Sequence, residues 1–297
     1  MNLPTEVPGF TDFWRAQQRV AASRPTVAAI TPDPARSRHR VSGVEWRQSG
    51  NIRIGGWLCE PKLTPSCAVV VGHGYGGRDD ADPGCLPPDA IGLFPCMPGF
   101  DRSADPLLPD KAERHVLHGI AQRETYILRD CVEAIWRSFD VLAQHFPQLP
   151  LGYIGSSFGG GLGALALPWE SRCRAAVLEV PTFGNHPLRL TIPCAGSGEA
   201  VRLYHREHPE VVDVLAYYDA AVAARHLHCP TLIAPADSDP VVPAGGQWSI
   251  AEAAPQAVVH RLSAGHPTPA NEAALAWRAY QGFISRQLSA PGPGASA

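Results

Sequence analysis

The segment Gly152-Tyr-Ile-Gly-Ser-Ser-Phe-Gly-Gly-Gly161 decides how the rest of the chain is interpreted. It contains the pattern G-x-S-x-G at residues 155–159, whose central serine, Ser157, would stand on a sharp turn between a strand and a helix. The flanking glycines suit that turn because a Cβ beside the strained serine would clash with the neighbouring strand or helix. The same five residues also fit an ordinary Gly-Ser loop, so their surroundings have to decide.

The residues on either side favour the turn. Residues 149–154 form a short apolar run that is typical of a buried strand, and residues 161–167 are small enough for a helix to pack closely on a sheet. Strand, serine and helix thus follow in the order that a nucleophile turn requires. We therefore predict Ser157 as a catalytic nucleophile.

Length and charge narrow the class of protein. The 297 residues, 45% of them hydrophobic, fit one α/β domain with insertions. The net charge of -3 comes from scattered charges of both signs, which predicts no nucleic-acid partner. The first residues do not resemble a signal peptide, and no stretch approaches about 18 consecutive apolar residues. We expect a cytoplasmic protein with no membrane partner.

The cysteines and histidines do not form a metal-binding pattern. The 8 cysteines are dispersed, mostly through apolar segments, without a C-x-x-C pair, so we expect reduced core thiols. The pairs His205/His208 and His226/His228 have metal-like spacing, but neither has a matching second pair. We expect neither a metal nor a cofactor.

Apolar periodicity predicts an α/β fold in which a mostly parallel central sheet carries helices on both faces. Residues 1–36 are predicted as a helix, Phe10 to Ala22, and a proline-rich linker that pack on the core. Residues 37–288 form the main domain, with an insertion over the active site expected at 181–219, and residues 289–297 are expected to be disordered. The main domain is predicted to contain a strand pair in 39–60 that turns at 49–51, strands in 68–71, 87–98, 149–154, 174–180, 230–235 and 256–262, and helices at 124–146 and 272–287.

A glycine-rich loop at residues 72–77 follows the strand at 68–71. Glycines at the carboxyl end of a strand leave backbone N–H groups free to point at an anion, as an oxyanion hole requires. An ordinary glycine turn is the alternative. The serine turn farther along the chain favours the oxyanion hole.

An acid and a base for Ser157 should follow it in that order. Asp239 comes after the strand at 230–235, in a loop held by prolines, and Asp237 is the reserve; an acidic turn that caps a helix is the alternative interpretation. His266 lies in a loop after the last predicted strand and is the expected general base. His260 lies inside that strand and is expected to be half-buried structure.

Several motifs in this order resemble the acetyl xylan esterase and cephalosporin C deacetylase family of α/β-hydrolases (carbohydrate esterase family 7). The motifs cover most of the chain and are residues 12–14, 72–77, 124–129, 155–159, 214–219 and the loops of Asp239 and His266. The resemblance implies deacetylation of small esters or acetylated sugars, with the backbone N–H groups of Tyr75 and Phe158 as oxyanion donors. It also implies a ring-forming homo-oligomer.

The chain departs from this family at three places near the site. Phe158 stands where the family has Gln, residues 98–100 read Pro-Gly-Phe in place of Arg-Gly-Gln, and Pro267 replaces a Glu. We expect Phe100 and Phe158 to make the substrate pocket more apolar. At these positions the resemblance therefore decides neither whether sugar esters are substrates nor whether the ring is a hexamer.

These observations predict a serine esterase for small acetyl esters that uses Ser157, His266 and Asp239. One alternative is a hydrolase of larger acyl esters, or a peptidase, because of the apolar pocket. Another is a non-catalytic ligand-binding relative, against which the complete order of serine, acid and histidine argues.

Overall fold

A computed structural model describes residues 2–32 and 40–289. The strands in these ranges are β1 (Ala29–Pro32), β2 (Arg40–Arg47), β3 (Arg53–Glu60), β4 (Cys67–Gly72), β5 (Ala90–Pro95), β6 (Leu151–Ser156), β7 (Cys173–Glu179), β8 (Thr231–Ala234), β9 (Ala236–Ser238), β10 (Ala257–Val259) and β11 (Leu262–Ala264). The helices are α1 (Phe10–Ala22), α2 (Ala112–His115), α3 (Ile127–His145), α4 (Phe158–Ala166), α5 (His186–Arg189), α6 (Gly196–Glu207), α7 (Val211–Leu215), α8 (Ala220–Ala224), α9 (Ala244–Ala253) and α10 (Ala270–Ser289).

The central sheet has the strand order β1-β2-β3-β5-β4-β6-β7-β8-β10. Strands β5, β4, β6, β7, β8 and β10 are parallel to their neighbours in that series, whereas β1, β2, β3 and β5 pair antiparallel. One face is covered mainly by α3, α4 and α9, with α8 packed against α4 and α9, and the other face is covered by α10, so the apolar core is divided into two clusters. This is the predicted mostly parallel sheet with helices on both faces.

Most predicted elements are confirmed. Helix α1 has the predicted bounds, and the strand pair β2–β3 turns at Ser49–Asn51. The long apolar helix is α3, which begins three residues after the predicted start because Tyr126 has an extended backbone. Strand β6, the serine and helix α4 follow in the predicted order.

Three predictions need correction. The proline-rich linker predicted after Ala22 contains β1, which pairs antiparallel with the free edge of β2 and places Ile30 opposite Val44. The single strand expected at 256–262 is two strands: β10 pairs with β8 in the central sheet, and β11 pairs with β9 in a separate two-stranded sheet. The predicted disordered tail begins at Ser289, which is the last residue of α10; residues 290–297 lie outside the described ranges.

The N-terminal helix is attached to the domain by aromatic contacts. Trp14 of α1 is fully buried, and its ring meets Trp136 and Tyr218 edge to face. Its indole N–H also donates a hydrogen bond of 2.8 Å to the carbonyl of Tyr217. The motif at residues 12–14 therefore joins α1 to the segment that contains α7.

The segment at 181–219 forms α5, α6 and α7. Asp219 fixes its end to its beginning, because its carboxylate accepts the backbone N–H groups of Asn185 and His186 at 3.0 and 2.7 Å. Within the described ranges, no helix is long and apolar enough to cross a membrane.

Candidate active site

Ser157 occupies a strained position between β6 and α4. Its φ of 54° and ψ of -108° lie outside the regions that non-glycine residues ordinarily adopt. The conformation is held by the N–H of Ser157, which donates to the carbonyl of Glu179 at 2.9 Å, and by the N–H groups of Gly161 and Thr182, which donate to the carbonyl of Ser157. Such strain is found at functional sites that the surrounding structure over-determines.

The two flanking glycines are required by close backbone contacts. A Cβ on Gly155 would lie 2.5 Å from the carbonyl oxygen of Gly159, and a Cβ on Gly159 would lie 2.7 Å from the carbonyl carbon of Gly72 in β4. Both distances are far below van der Waals contact. The strand and the helix can therefore approach each other only without side chains at these positions.

Ser157, His266 and Asp239 form one hydrogen-bonded chain. The Nε2 atom of His266 lies 2.8 Å from the Oγ of Ser157, and its Nδ1 atom lies 2.7 Å from the Oδ2 of Asp239. Because Asp239 accepts at Nδ1, that nitrogen carries the proton and Nε2 is left free to accept the proton of the serine hydroxyl. The three loops that follow β6, β9 and β11 thus meet at one point.

The carboxylate of Asp239 is fully buried and accepts several hydrogen bonds. It accepts the N–H groups of Val241 and Val242 at 2.8 and 3.0 Å and the amide of Gln247 at 2.9 Å, besides His266. Burial by itself raises the pKa of Asp239, but the hydrogen bonds from His266 and from the backbone hold it below its ordinary value. Asp239 is therefore ionised at neutral pH.

The other candidate acid and base lie elsewhere. Asp237 forms an ion pair of 2.7 Å with Arg261 at the surface. His260 is half-buried, its backbone N–H donates to Ile233, and its ring packs edge to face on Tyr280. Neither residue contacts Ser157 or His266 through any hydrogen bond in the described part of the chain.

The glycine-rich loop after β4 lies against the start of α4. The backbone N–H groups of Tyr75 and Phe158 have no hydrogen-bond acceptor among the described residues. The side chains of these two residues stack face to face, with their ring centroids 3.9 Å apart. The loop and the helix start are therefore coupled at the two predicted oxyanion donors.

His73, which the sequence patterns did not single out, fixes this loop. Its Nε2 atom accepts the N–H of Met97 at 2.9 Å, so its Nδ1 carries the proton that is donated to Gly74 at 2.6 Å. Burial lowers the pKa of His73 to about 3, so the ring is neutral. Its backbone carbonyl also accepts the N–H of Gly159 at 2.8 Å, which ties the loop to α4.

The expectation that Phe100 and Phe158 line the substrate pocket is wrong. Phe158 is fully buried and Phe100 is 3% exposed, because Tyr75 covers the first and the ring of His115 packs on the second at 4.7 Å. The segment that contains Phe100 is held by the carbonyl of Pro98, which accepts a hydrogen bond of 2.9 Å from His115. Phe100, Phe158 and His115 therefore pack behind the glycine-rich loop and support it.

A cleft of about 470 Å³ opens at Ser157 and His266. It is lined by the glycine-rich loop at Gly74–Gly76, by Ala112 of α2, by Gly196 and Ser197 of α6, and by Val241 and Val242. Its volume is typical of a site for a small molecule. Part of the wall therefore comes from α6, in the segment predicted to insert over the active site.

Among residues 2–32 and 40–289, no group of three histidine, cysteine or acidic side chains is arranged to hold a metal ion. The Nε2 atom of His226, one of the histidines with metal-like spacing, instead contacts Glu6 at 2.8 Å. Seven of the 8 cysteines are buried, and Cys194 is half-buried.

Comparison with known proteins identifies the family. The family model described as acetyl xylan esterase (AXE1) matches residues 4–256, which is most of the chain. The chain belongs to the acetyl xylan esterase family. It is a carboxylic ester hydrolase.

One curated relative and two solved structures are consistent with membership of this family. The curated acetyl esterase Axe7A of Xylanibacter ruminicola is 26% identical over 136 residues, which are 45% of this chain and only 31% of that protein. The acetyl xylan esterase of Paenibacillus sp. R4 superimposes with a TM-score of 0.82 at 19% identity, covering 95% of this chain and 96% of that one. Acetyl xylan esterase 1 of Thermoanaerobacterium sp. JW/SL YS485 superimposes with a TM-score of 0.79 at 16% identity, covering 93% of this chain and 94% of that one. These structures establish the α/β-hydrolase fold.

Proposed function

We propose that this member of the acetyl xylan esterase family is a serine esterase that hydrolyses short-chain esters, acetyl esters above all, through Ser157, His266 and Asp239. The observation that carries the proposal is the hydrogen-bonded chain from Asp239 through His266 to Ser157, with distances of 2.7 and 2.8 Å. The substrate is a small ester that enters the cleft at Ser157.

In the acylation step, the Oγ of Ser157 attacks the ester carbonyl while Nε2 of His266 takes the hydroxyl proton. The resulting imidazolium is stabilised by the buried carboxylate of Asp239, and the negative charge on the carbonyl oxygen is stabilised by the N–H groups of Tyr75 and Phe158. The intermediate then collapses. The alcohol leaves with the proton from His266, and the acyl group stays on Ser157.

In the deacylation step, a water molecule gives a proton to His266 and attacks the acyl carbonyl. The second tetrahedral intermediate uses the same two N–H groups. Its collapse breaks the bond to Ser157, whose oxygen recovers the proton from His266, and the carboxylic acid is released. Deacylation thus requires no group beyond those that perform acylation.

Acyl chain length separates this proposal from its rival, a hydrolase of larger acyl esters or a peptidase. The rival depended on Phe100 and Phe158 in the pocket, and both side chains lie behind Tyr75 instead. We expect kcat/KM to fall along the 4-nitrophenyl series from acetate to octanoate. A maximum at butyrate or beyond would favour the rival.

The nucleophile is tested by Ser157→Ala. Removing the nucleophile of such a triad costs about 10⁶-fold in kcat, so turnover of 4-nitrophenyl acetate should fall to the background rate. A fluorophosphonate probe should label the wild type at one serine and leave Ser157→Ala unlabelled. Wild-type turnover by the variant, or labelling at another serine, would overturn the assignment.

A further inference from the structure

In the part of the chain that the structure describes, the guanidinium of Arg189 is buried without an ion-pair partner. Arg189 ends the short helix α5 and is only 6% exposed. Its Nε–H has no acceptor, and among the described residues no carboxylate forms an ion pair with it. A buried cation without a partner is costly, so such a residue is retained where something else supplies the negative charge.

Asp219, the acid whose charge acts on Arg189, already accepts hydrogen bonds from other donors. Its two carboxylate oxygens accept backbone N–H groups from Asn185, His186 and Ala221 at 3.0, 2.7 and 2.9 Å. Asp219 therefore attracts Arg189 at a distance without pairing with it.

The other polar groups near Arg189 are donors or neutral. Burial raises the pKa of Tyr75 well above its ordinary value and Arg189 opposes this, as it does for Tyr126. Neither hydroxyl has a hydrogen-bond partner among the described residues. Burial, reinforced by Arg189, lowers the pKa of His186 to about 3, so this ring is neutral. Among the described residues, the neighbourhood of Arg189 thus holds several donors and one positive charge, and Asp219, the acid that attracts it, is already bonded to other donors.

A small cavity adjoins the guanidinium. It has about 10 Å³ of free space, room for one group the size of a water molecule, and is lined by Arg189, Ser197 and Gly198 with five other residues. Ser197 also lines the cleft that contains Ser157. A Cβ on Gly198 would lie 2.7 Å from Nη2 of Arg189, so the space beside the guanidinium depends on that glycine.

We propose that Arg189 is an anion subsite beside the cleft, and that it binds the carboxylate of an ester substrate that carries an acidic group. A carboxylate oxygen matches the water-sized cavity, and guanidinium is the side chain best suited to pair with a carboxylate. This inference rests on the proposed esterase function and makes it more specific: acidic esters are preferred over neutral esters of the same shape.

The test compares acidic and neutral esters that match in size. On the acyl side, 4-nitrophenyl hydrogen glutarate is compared with 4-nitrophenyl valerate; on the alcohol side, 4-acetoxybenzoate is compared with 4-methylphenyl acetate. Uncatalysed hydrolysis is subtracted. The ratio of kcat/KM, acidic over neutral, should exceed one for at least one pair and should fall about 10- to 100-fold in Arg189→Met, the loss expected for a charge-assisted hydrogen bond.

Arg202→Met is the matched control, because Arg202 is also buried but is ion-paired with Glu199 on α6. It removes the same charge from a nearby element and should leave the ratio unchanged. Gly198→Ala crowds the guanidinium without removing it and should lower the ratio even if Arg189→Met does not fold. Equal losses on acidic and neutral esters in Arg189→Met and in Gly198→Ala would overturn the subsite.

The alternative occupant of the site at Arg189 is a free anion from solvent, in place of a substrate carboxylate. If chloride raises the Tm of the wild type but not of Arg189→Met, while the ester ratios do not depend on Arg189, the site holds a solvent ion and the substrate proposal fails. If the proposed esterase function itself is wrong, the wild type will not hydrolyse the neutral esters. This result differs from failure of the subsite, in which the neutral esters are still hydrolysed.

Discussion

Two aspartates that lie two positions apart have opposite surroundings. Asp239 is fully buried and bonded to His266, whereas Asp237 forms an exposed ion pair with Arg261. The strand β9 ends between them, so the chain turns inward only at the second. The hydrogen bond to His266 is thus set by the turn and not by the residue type.

This difference predicts contrasting effects of the same substitution. Asp239→Asn removes the group that fixes the tautomer of His266, so kcat for 4-nitrophenyl acetate should fall about 10⁴-fold. Asp237→Asn should change kcat less than twofold, because an exposed ion pair contributes little. Steady-state kinetics of the two purified variants provides the check. A large loss in Asp237→Asn would mean that the acid has been assigned to the wrong residue.

At this scale the sequence predicts which residues meet, but not what surrounds them. Ser157, Asp239 and His266 were found because their order along the chain and their positions after strands are themselves the signal. Nothing in the sequence shows that Tyr75 covers Phe158, since that stack joins residues from two separate loops. Arg189 likewise has no local signal, because its missing partner is a property of the folded interior.

Helix α4 and strand β4 approach each other more closely than side chains permit. Gly159→Ala would place its Cβ 2.7 Å from the backbone of Gly72, and backbone cannot move aside as a side chain can. We expect a loss of about 3 kcal/mol in the free energy of unfolding, as for a severely overpacked site. Urea denaturation measures it.

Gly76→Ala is the control for that experiment. A Cβ on Gly76 meets no described atom within 4 Å, so the free energy of unfolding of this variant should stay within about 0.5 kcal/mol of the wild type. Equal destabilisation by the two alanines would show that the contact with β4 is not the cause.

Elements with a strong internal pattern were predictable, and elements defined by pairing were not. Helix α3 carries its apolar stripe in its own sequence, and so its position was found within three residues. The four residues of β1 have no alternation, and they become a strand only because β2 offers an unpaired edge. Strands β10 and β11 are separated only by His260 and Arg261, and they belong to different sheets because they pair with different partners, β8 and β9.

At the scale of the whole molecule, the described residues include three buried, neutral histidines. Burial lowers the pKa of His73 and His186 to about 3 and that of His115 to about 4, from an ordinary value of 6.5. The unfolded chain takes up protons below pH 6.5, whereas the folded chain does so only near the lowered values. The stability that these groups confer is therefore present above pH 6.5 and is lost as the pH falls toward 4 and 3.

His115→Gln isolates one of these contributions. Glutamine offers a donor to the carbonyl of Pro98 but does not titrate, so the loss of stability between pH 7 and pH 5 should be about 2 kcal/mol smaller than in the wild type. Urea denaturation at the two pH values gives the difference. Buried carboxyls with raised pKa values, such as Glu179 and Asp219, act in the opposite sense, but they are common to both proteins and cancel. An unchanged difference would mean that His115 is protonated in the folded state.

The stacked rings of Tyr75 and Phe158 have a consequence for engineering. Each ring belongs to a residue whose N–H is proposed to hold the oxyanion, so a change in one side chain shifts the other residue's backbone as well. Saturation libraries that vary the two positions separately should return mostly inactive clones, whereas libraries that vary them jointly should recover active pairs with new ring combinations. The two positions form a single unit for any redesign of this esterase.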